Sequence, residues 1–179
     1  MNSLVVIEDN RGKVHRMSIE AIVGAQKLGG DVFALVIGDH ASSLSSELSS
    51  LELSQILVVE HDLVSTYNAD GYSEVVSQIV RLMNIDIIIA GHTYQTRDYM
   101  PRVSAKLDIP FIPDIVGIDQ DLYIKQVLNA KLNSSISCSA SSRILSFQSA
   151  CFSEDDIISG STEIKNIDVN LDSSLVRST

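Results

Sequence analysis

The chain has 179 residues, a formal net charge of −10 and a pI near 4.6. That acidity repels nucleic-acid phosphates and anionic membranes, since counterion release needs clustered lysine and arginine, and the thirteen basic residues form no run. No apolar stretch approaches the roughly 20 residues of a membrane span, and 45% apolar residues at a mean hydropathy of +0.18 describe a folded chain rather than a disordered one.

The length suits one domain that buries about two thirds of its unfolded surface. A first strand is expected at Ser3 to Ile7, ending in Glu8-Asp9. It starts almost at the first residue, so no signal or transit peptide is expected and the cytoplasm is the expected compartment. A turn at Asn10-Arg11-Gly12 leads to a helix from Ser18, its expected N-cap, to Leu28, with the apolar stripe Ile19, Ile22 and Val23. Gly29-Gly30 stops it, because glycine enters the left-handed region without strain. Val32 to Ile37 is apolar on both faces, as a parallel strand covered by helices must be. Leu44, Leu48 and Leu51 mark a weak second helix, diluted by seven serines between Ser42 and Ser54.

A third strand follows at Ile56 to Val59. The clearest helix comes next, with Tyr72, Val75, Val76, Ile79, Leu82 and Met83 on one face. A fourth strand spans Asp86 to Ala90, and the helix after it carries Met100, Val103 and Leu107, with Pro101 expected near its first turn. This alternation predicts a doubly wound parallel sheet with helices on both faces, a three-layer α/β fold. After Pro113 the runs Ile115 to Ile118, Leu122 to Leu128, Leu132 to Ser137 and Ile144 to Phe147 read as antiparallel strands extending that sheet. Residues 1–152 form the expected domain. Residues 153–179 turn acidic and polar, with one strand candidate at Ile164 to Val169, and read as a linker or arm.

The stretch GHTYQTRD, residues 91–98, leaves the fourth strand and enters a helix. In open α/β sheets ligands gather outside the carboxyl ends of strands where the strand order reverses, and helix N-termini there present free N–H groups. With strand order 3-2-1-4, Gly91, Thr93, Thr96 and Arg97 are the candidates for binding a nucleotide phosphate or for meeting a partner. Five carboxylates at the ends of the first three strands, Glu8, Asp9, Asp39, Glu60 and Asp62, argue against phosphate. Each repels an anion by about 1 kcal/mol at a few ångström in a water-like dielectric. No GxGxxG or GxxxxGK[ST] pattern occurs.

Four blocks carry a resemblance: SLVVIEDNRGKVHRMSIEAIVGAQKLGGDVFALVIGDH, HTYQTRDYMPRVSAKLDIPFIPDIVGI, LYIKQVLNAKLNSSISCSASSRILSFQSACF and IKNIDVNLDSSLVRST. In order and spacing they resemble the α subunit of electron-transfer flavoproteins. The second block is similar to that family's T-x-x-G-R-D-x-x-P-R-V-A-A-x-L. The resemblance implies an amino-terminal scaffold domain of adenine-nucleotide-hydrolase-like fold that packs on a β subunit. It implies FAD held chiefly by a carboxyl-terminal domain, which this chain does not include. It further implies electrons carried from flavin dehydrogenases, those of fatty acid oxidation among them, to a respiratory acceptor. No cysteine or serine sits on a recognisable nucleophile elbow with an assignable base, so no catalytic residues are expected in the chain. The ending Val176-Arg177-Ser178-Thr179 then reads as a truncation. Thr96 stands where the family has glycine before its arginine, and Phe147-Gln148-Ser149-Ala150 where it has Val-Arg-x-Gly. The alternative is a stand-alone module of the same fold that binds AMP or ATP.

Cys138 and Cys151 lack CxxC spacing and read as buried free thiols. His40, His61 and His92 each follow a strand, but no metal-ligand spacing joins them, so no metal site is assigned.

Overall fold

A computed structural model describes residues 1–175. Nine strands form one sheet: β1 (Asn2–Val6), β2 (Asp31–Ile37), β3 (Gln55–Val59), β4 (Ile87–Gly91), β5 (Phe111–Asp119), β6 (Leu122–Val127), β7 (Leu132–Ile136), β8 (Arg143–Phe147) and β9 (Ile164–Asn166). Their order is β7-β6-β5-β8-β4-β1-β2-β3-β9. β1 lies parallel between β2 and β4, and β2 lies parallel beside β3, which is the predicted 3-2-1-4 arrangement.

The helices are α1 (Arg16–Leu28), α2 (Ala41–Leu48), α3 (Ala69–Met83) and α4 (Tyr94–Leu107). Strand side chains alternate between the sheet's faces. Thus Val5, Ile87 and Ile89 pack with Ile22, Ala25, Leu44 and Leu48 of α1 and α2. Leu4, Val6 and Ile88 pack with Val75, Ile79, Met100 and Val103 of α3 and α4. The result is three layers, as expected. The apolar face of α3 is narrower than predicted: Leu82 is 61% exposed, whereas Met83, the last residue of the helix, packs against the core.

Two helix starts differ from expectation. α1 begins at Arg16, and His15 is its cap, with Nδ1 accepting the Met17 N–H. Ser18 is instead buried, and its Oγ accepts the Glu8 N–H at 2.9 Å, tying the exit of β1 to α1. Pro101 is not in the first turn of α4 but inside the helix, because Thr93 caps it early by accepting the Thr96 N–H. The serines of α2 turn back on its backbone: Ser45 and Ser46 both donate to the Ser42 carbonyl, a bond that competes weakly with helix formation.

The second half departs further. β8 is not antiparallel. It sits inside the sheet, parallel to β4 on one side and β5 on the other. Among the nine strands, β5–β6 and β6–β7 are the antiparallel pairs. Burial on both faces explains the interior place of β8: Ile144 faces one core, Leu145 and Phe147 the other. β5 starts at Phe111, and its register shifts between Ile112 and Ile115, around Pro113 and a left-handed Asp114 (φ 62). That is a bulge, which bends a strand and redirects side chains.

The acidic stretch after residue 152 folds back onto the domain. β9, shorter than expected, adds to the free side of β3 in parallel. Thr162 is buried, donating to the Leu51 carbonyl and accepting the Leu53 N–H. Gln78 of α3 clasps both backbone groups of Asn170, and Leu171 enters the α3–α4 core. Residues 176–179 lie outside the described residues. Both cysteines are free and half-buried rather than fully buried. Burial pushes the Cys151 thiol up to about 11. Among the described residues no helix is long and apolar enough to cross a membrane.

Candidate binding site at the carboxyl edge of the sheet

Strand order reverses between β1 and β4, so the loops leaving those strands face each other. Gly91 ends β4 buried against α1. A Cβ there would meet Met17 Cβ at 2.6 Å and its backbone carbon at 3.2 Å. Its lack of a side chain serves helix–strand packing rather than ligand approach. Thr93 donates its hydroxyl to Glu8 Oε2 across the reversal point while accepting the Thr96 N–H. Thr96, standing for the family's glycine, is 2% exposed, with Oγ1 3.2 Å from Thr93 Oγ1. Thr93 therefore caps α4 and binds the chain's own carboxylate, and Thr96 is turned into the interior beside it. Of the four candidates only Arg97 is exposed, and it lies beside the ring of Tyr94, itself 89% exposed, at 5.6 Å.

Three residues went unselected in the sequence. His92 Nδ1 lies 2.8 Å from Ser146 Oγ, and its Nε2 faces Asp114 Oδ1 at 3.8 Å. Burial holds the His92 imidazole below its ordinary pKa. Asp114 opposes that shift, while Arg97 and Lys125 reinforce it. Ser146 Oγ also accepts the Asp114 N–H, which braces the β5 bulge. The available signal was the position of His92 directly after a strand. Its partners come from two distant strands.

Two cavities open here and share His92 and Arg97. One, of about 430 Å³, lies between Glu8, His15 and Thr93. The other, of about 680 Å³, lies between Pro101, Phe111, Asp114 and Lys125. On the opposite side, over β2 and β3, the edge is acidic and internally bonded. Asp9 accepts the Gly12 N–H at 2.6 Å and meets His40 Nδ1 at 2.6 Å, and Glu60 accepts from Ser42. Among the described residues no group of three or more His, Cys, Asp or Glu side chains is placed to hold a metal.

The hydrogen bond that Asp9 accepts from His40 and the charge of Asp9, aided by Asp39, raise the pKa of His40. The bonded pair ties the β1–α1 turn to the start of α2. Its contribution is complete below about 6.5, the unfolded imidazole value, and disappears as pH rises through the higher folded value. An NMR titration is expected to place His40 above a free imidazole, and Asp9→Asn to bring it back. An unshifted His40 in the parent chain would contradict the clamp.

A three-layer α/β domain, with its sheet reversing at a loop of the TxxxRD kind and extended by an antiparallel hairpin, is the class that fold and site define. The family model for the electron transfer flavoprotein domain matches residues 3–172, and the chain belongs to that family. It is 31% identical over 117 residues to electron transfer flavoprotein subunit alpha of Bacillus subtilis, covering 64% of this chain and 36% of that protein. The alpha subunit of Thermoanaerobacterium thermosaccharolyticum is 29% identical over 143 residues, covering 75% and 43%. That of Clostridium acetobutylicum is 27% identical over 128 residues, covering 69% and 38%. The match thus spans less than half the length of these relatives, and corresponds to the amino-terminal domain of the alpha subunit.

Proposed function

We propose that this chain is the scaffold and docking domain of an electron-transfer flavoprotein α subunit. In this reading residues 1–152 engage a β subunit, and residues 153–179 lead toward a FAD-binding domain. The assembled flavoprotein carries electrons in the cytoplasm from flavin dehydrogenases, acyl-CoA dehydrogenases among them, to a respiratory acceptor. The chain itself catalyses nothing and holds no FAD alone.

One observation carries the docking reading. At the β6–β7 turn Val127, Leu128 and Leu132 are exposed, at 38%, 69% and 57%. β7 is also the terminal strand of the sheet, with its outer edge unpaired among the described residues. Apolar side chains gathered beside an open strand edge suit burial against another protein. The test combines the purified chain with a separately produced β subunit and measures affinity by sedimentation. The double variant Leu128→Asp, Leu132→Asp is expected to weaken binding by about 30-fold or more, the scale of an interface hot spot. Unchanged affinity, or stoichiometric yellow flavin in the isolated chain, would overturn the reading.

The stand-alone AMP or ATP module is supported by the cavity of about 430 Å³ at the reversal point. Glu8, bonded to Thr93 where a phosphate would approach, weighs against it. Calorimetry showing no heat with millimolar AMP or ATP removes it.

A further inference from the structure

We propose that the cleft between α4 and the base of the β5–β6 hairpin binds a compact oxyanion, a carboxylate or phosphate, borne on a flat apolar body. The cleft, of about 680 Å³, lies within the range of small-molecule sites. Two cations reach it from separate elements, Arg97 from α4 and Lys125 from β6. Neither takes part in an ion pair among the described residues, so their charges are not neutralised within the cleft. In a chain of net charge −10, two cations outnumber the single carboxylate, Asp114, that lines this cavity. Guanidinium and ammonium groups recognise carboxylate and phosphate through charge-assisted hydrogen bonds.

The remaining lining fits the same ligand. His92 is held in orientation by Ser146 Oγ, and Asp114, the cavity's acidic lining residue, faces His92 Nε2 rather than pairing with either cation. Gln148 adds a neutral amide at the rim, and Pro101, Phe111 and Pro113 supply an apolar wall. Pro113 and Asp114 reach the cleft through the β5 bulge, where a left-handed non-glycine residue is maintained at a conformational penalty. The site lies away from the acidic edge over β2 and β3, and none of the five carboxylates at the ends of β1, β2 and β3 lines it.

The test is a titration of the 15N-labelled chain with phenyl phosphate, benzoate and inorganic phosphate at constant ionic strength, following the amides of His92, Arg97, Lys125 and Gln148. At least one aryl anion is expected to give saturable shifts at these residues and to bind more tightly than inorganic phosphate. The anion that saturates identifies the headgroup. Arg97→Gln and Lys125→Gln are each expected to weaken it about tenfold, the loss of one charge-assisted hydrogen bond. Both replaced side chains reach solvent, and unchanged spectra elsewhere confirm folding. Shifts that never saturate, or affinities equal in the parent and both variants, would overturn the proposal.

Discussion

Replacing Phe147 with alanine is expected to lower the unfolding free energy by about 3–5 kcal/mol, the range for deleting a fully buried aromatic ring. Phe147 is 1% exposed, on β8, the strand that joins the parallel sheet to its antiparallel extension. Its carbonyl accepts the His92 N–H at 2.7 Å, so the same residue secures the exit of β4. The ring meets Phe152 edge-on at a centroid distance of 4.9 Å. It also sits under α1 at Gly24, where a Cβ would come within 2.7 Å of Phe147 Cε2.

That packing gives the prediction a second arm. Gly24→Ala alone overpacks the contact, a change that typically costs about 1–3 kcal/mol. The same Cβ would also meet Phe152 Cε2 at 2.6 Å, so in the Phe147→Ala background the methyl fits once the Phe152 ring shifts into the vacated space, and the two changes should be non-additive. Urea unfolding of the four proteins measures this. A loss below about 1 kcal/mol for Phe147→Ala would mean that β8 is not a core strand.

Pro101→Ala is expected to act in the opposite direction, stabilising the protein by about 2 kcal/mol. Pro101 is the eighth residue of α4 and is exposed. Having no N–H, it leaves the Arg97 carbonyl one turn earlier without its helical donor. A proline inside a helix costs about 3 kcal/mol. Against this, proline restricts the unfolded chain, which returns about 0.4–1 kcal/mol. The net gain corresponds to a rise in Tm of about 5 °C for a domain of this size, measurable by calorimetry. A fall in Tm would show that neighbouring strands require the proline-shaped backbone.

Residues 1–110 were legible because their constraints are local or periodic. Ile87-Ile88-Ile89 must be covered on both faces, and the i, i+3, i+4 spacing of Tyr72, Val75, Val76 and Ile79 admits a helix and little else. Cap identities were less legible. Ser18 and His15 are both able to cap α1, and the choice depends on Glu8, whose N–H claims the Ser18 hydroxyl.

From Pro113 onward local rules stop deciding. Ile144 to Phe147 is a strand by composition, but an apolar run has no direction of its own. β8 runs parallel because the open edge of β4 is the place where both its faces can be buried. The site shows the same division. The sequence alone placed Thr93, Thr96 and Arg97 at the exit of a parallel strand, through alternating apolar runs and helix stripes. Only the tertiary structure turned the threonines inward, bonding Thr93 to Glu8 across 85 positions, and brought Lys125 to the cavity that Arg97 lines. Burial demands are written residue by residue along a chain, whereas hydrogen-bond partners between distant segments are chosen by which edges and faces remain open when the layers close.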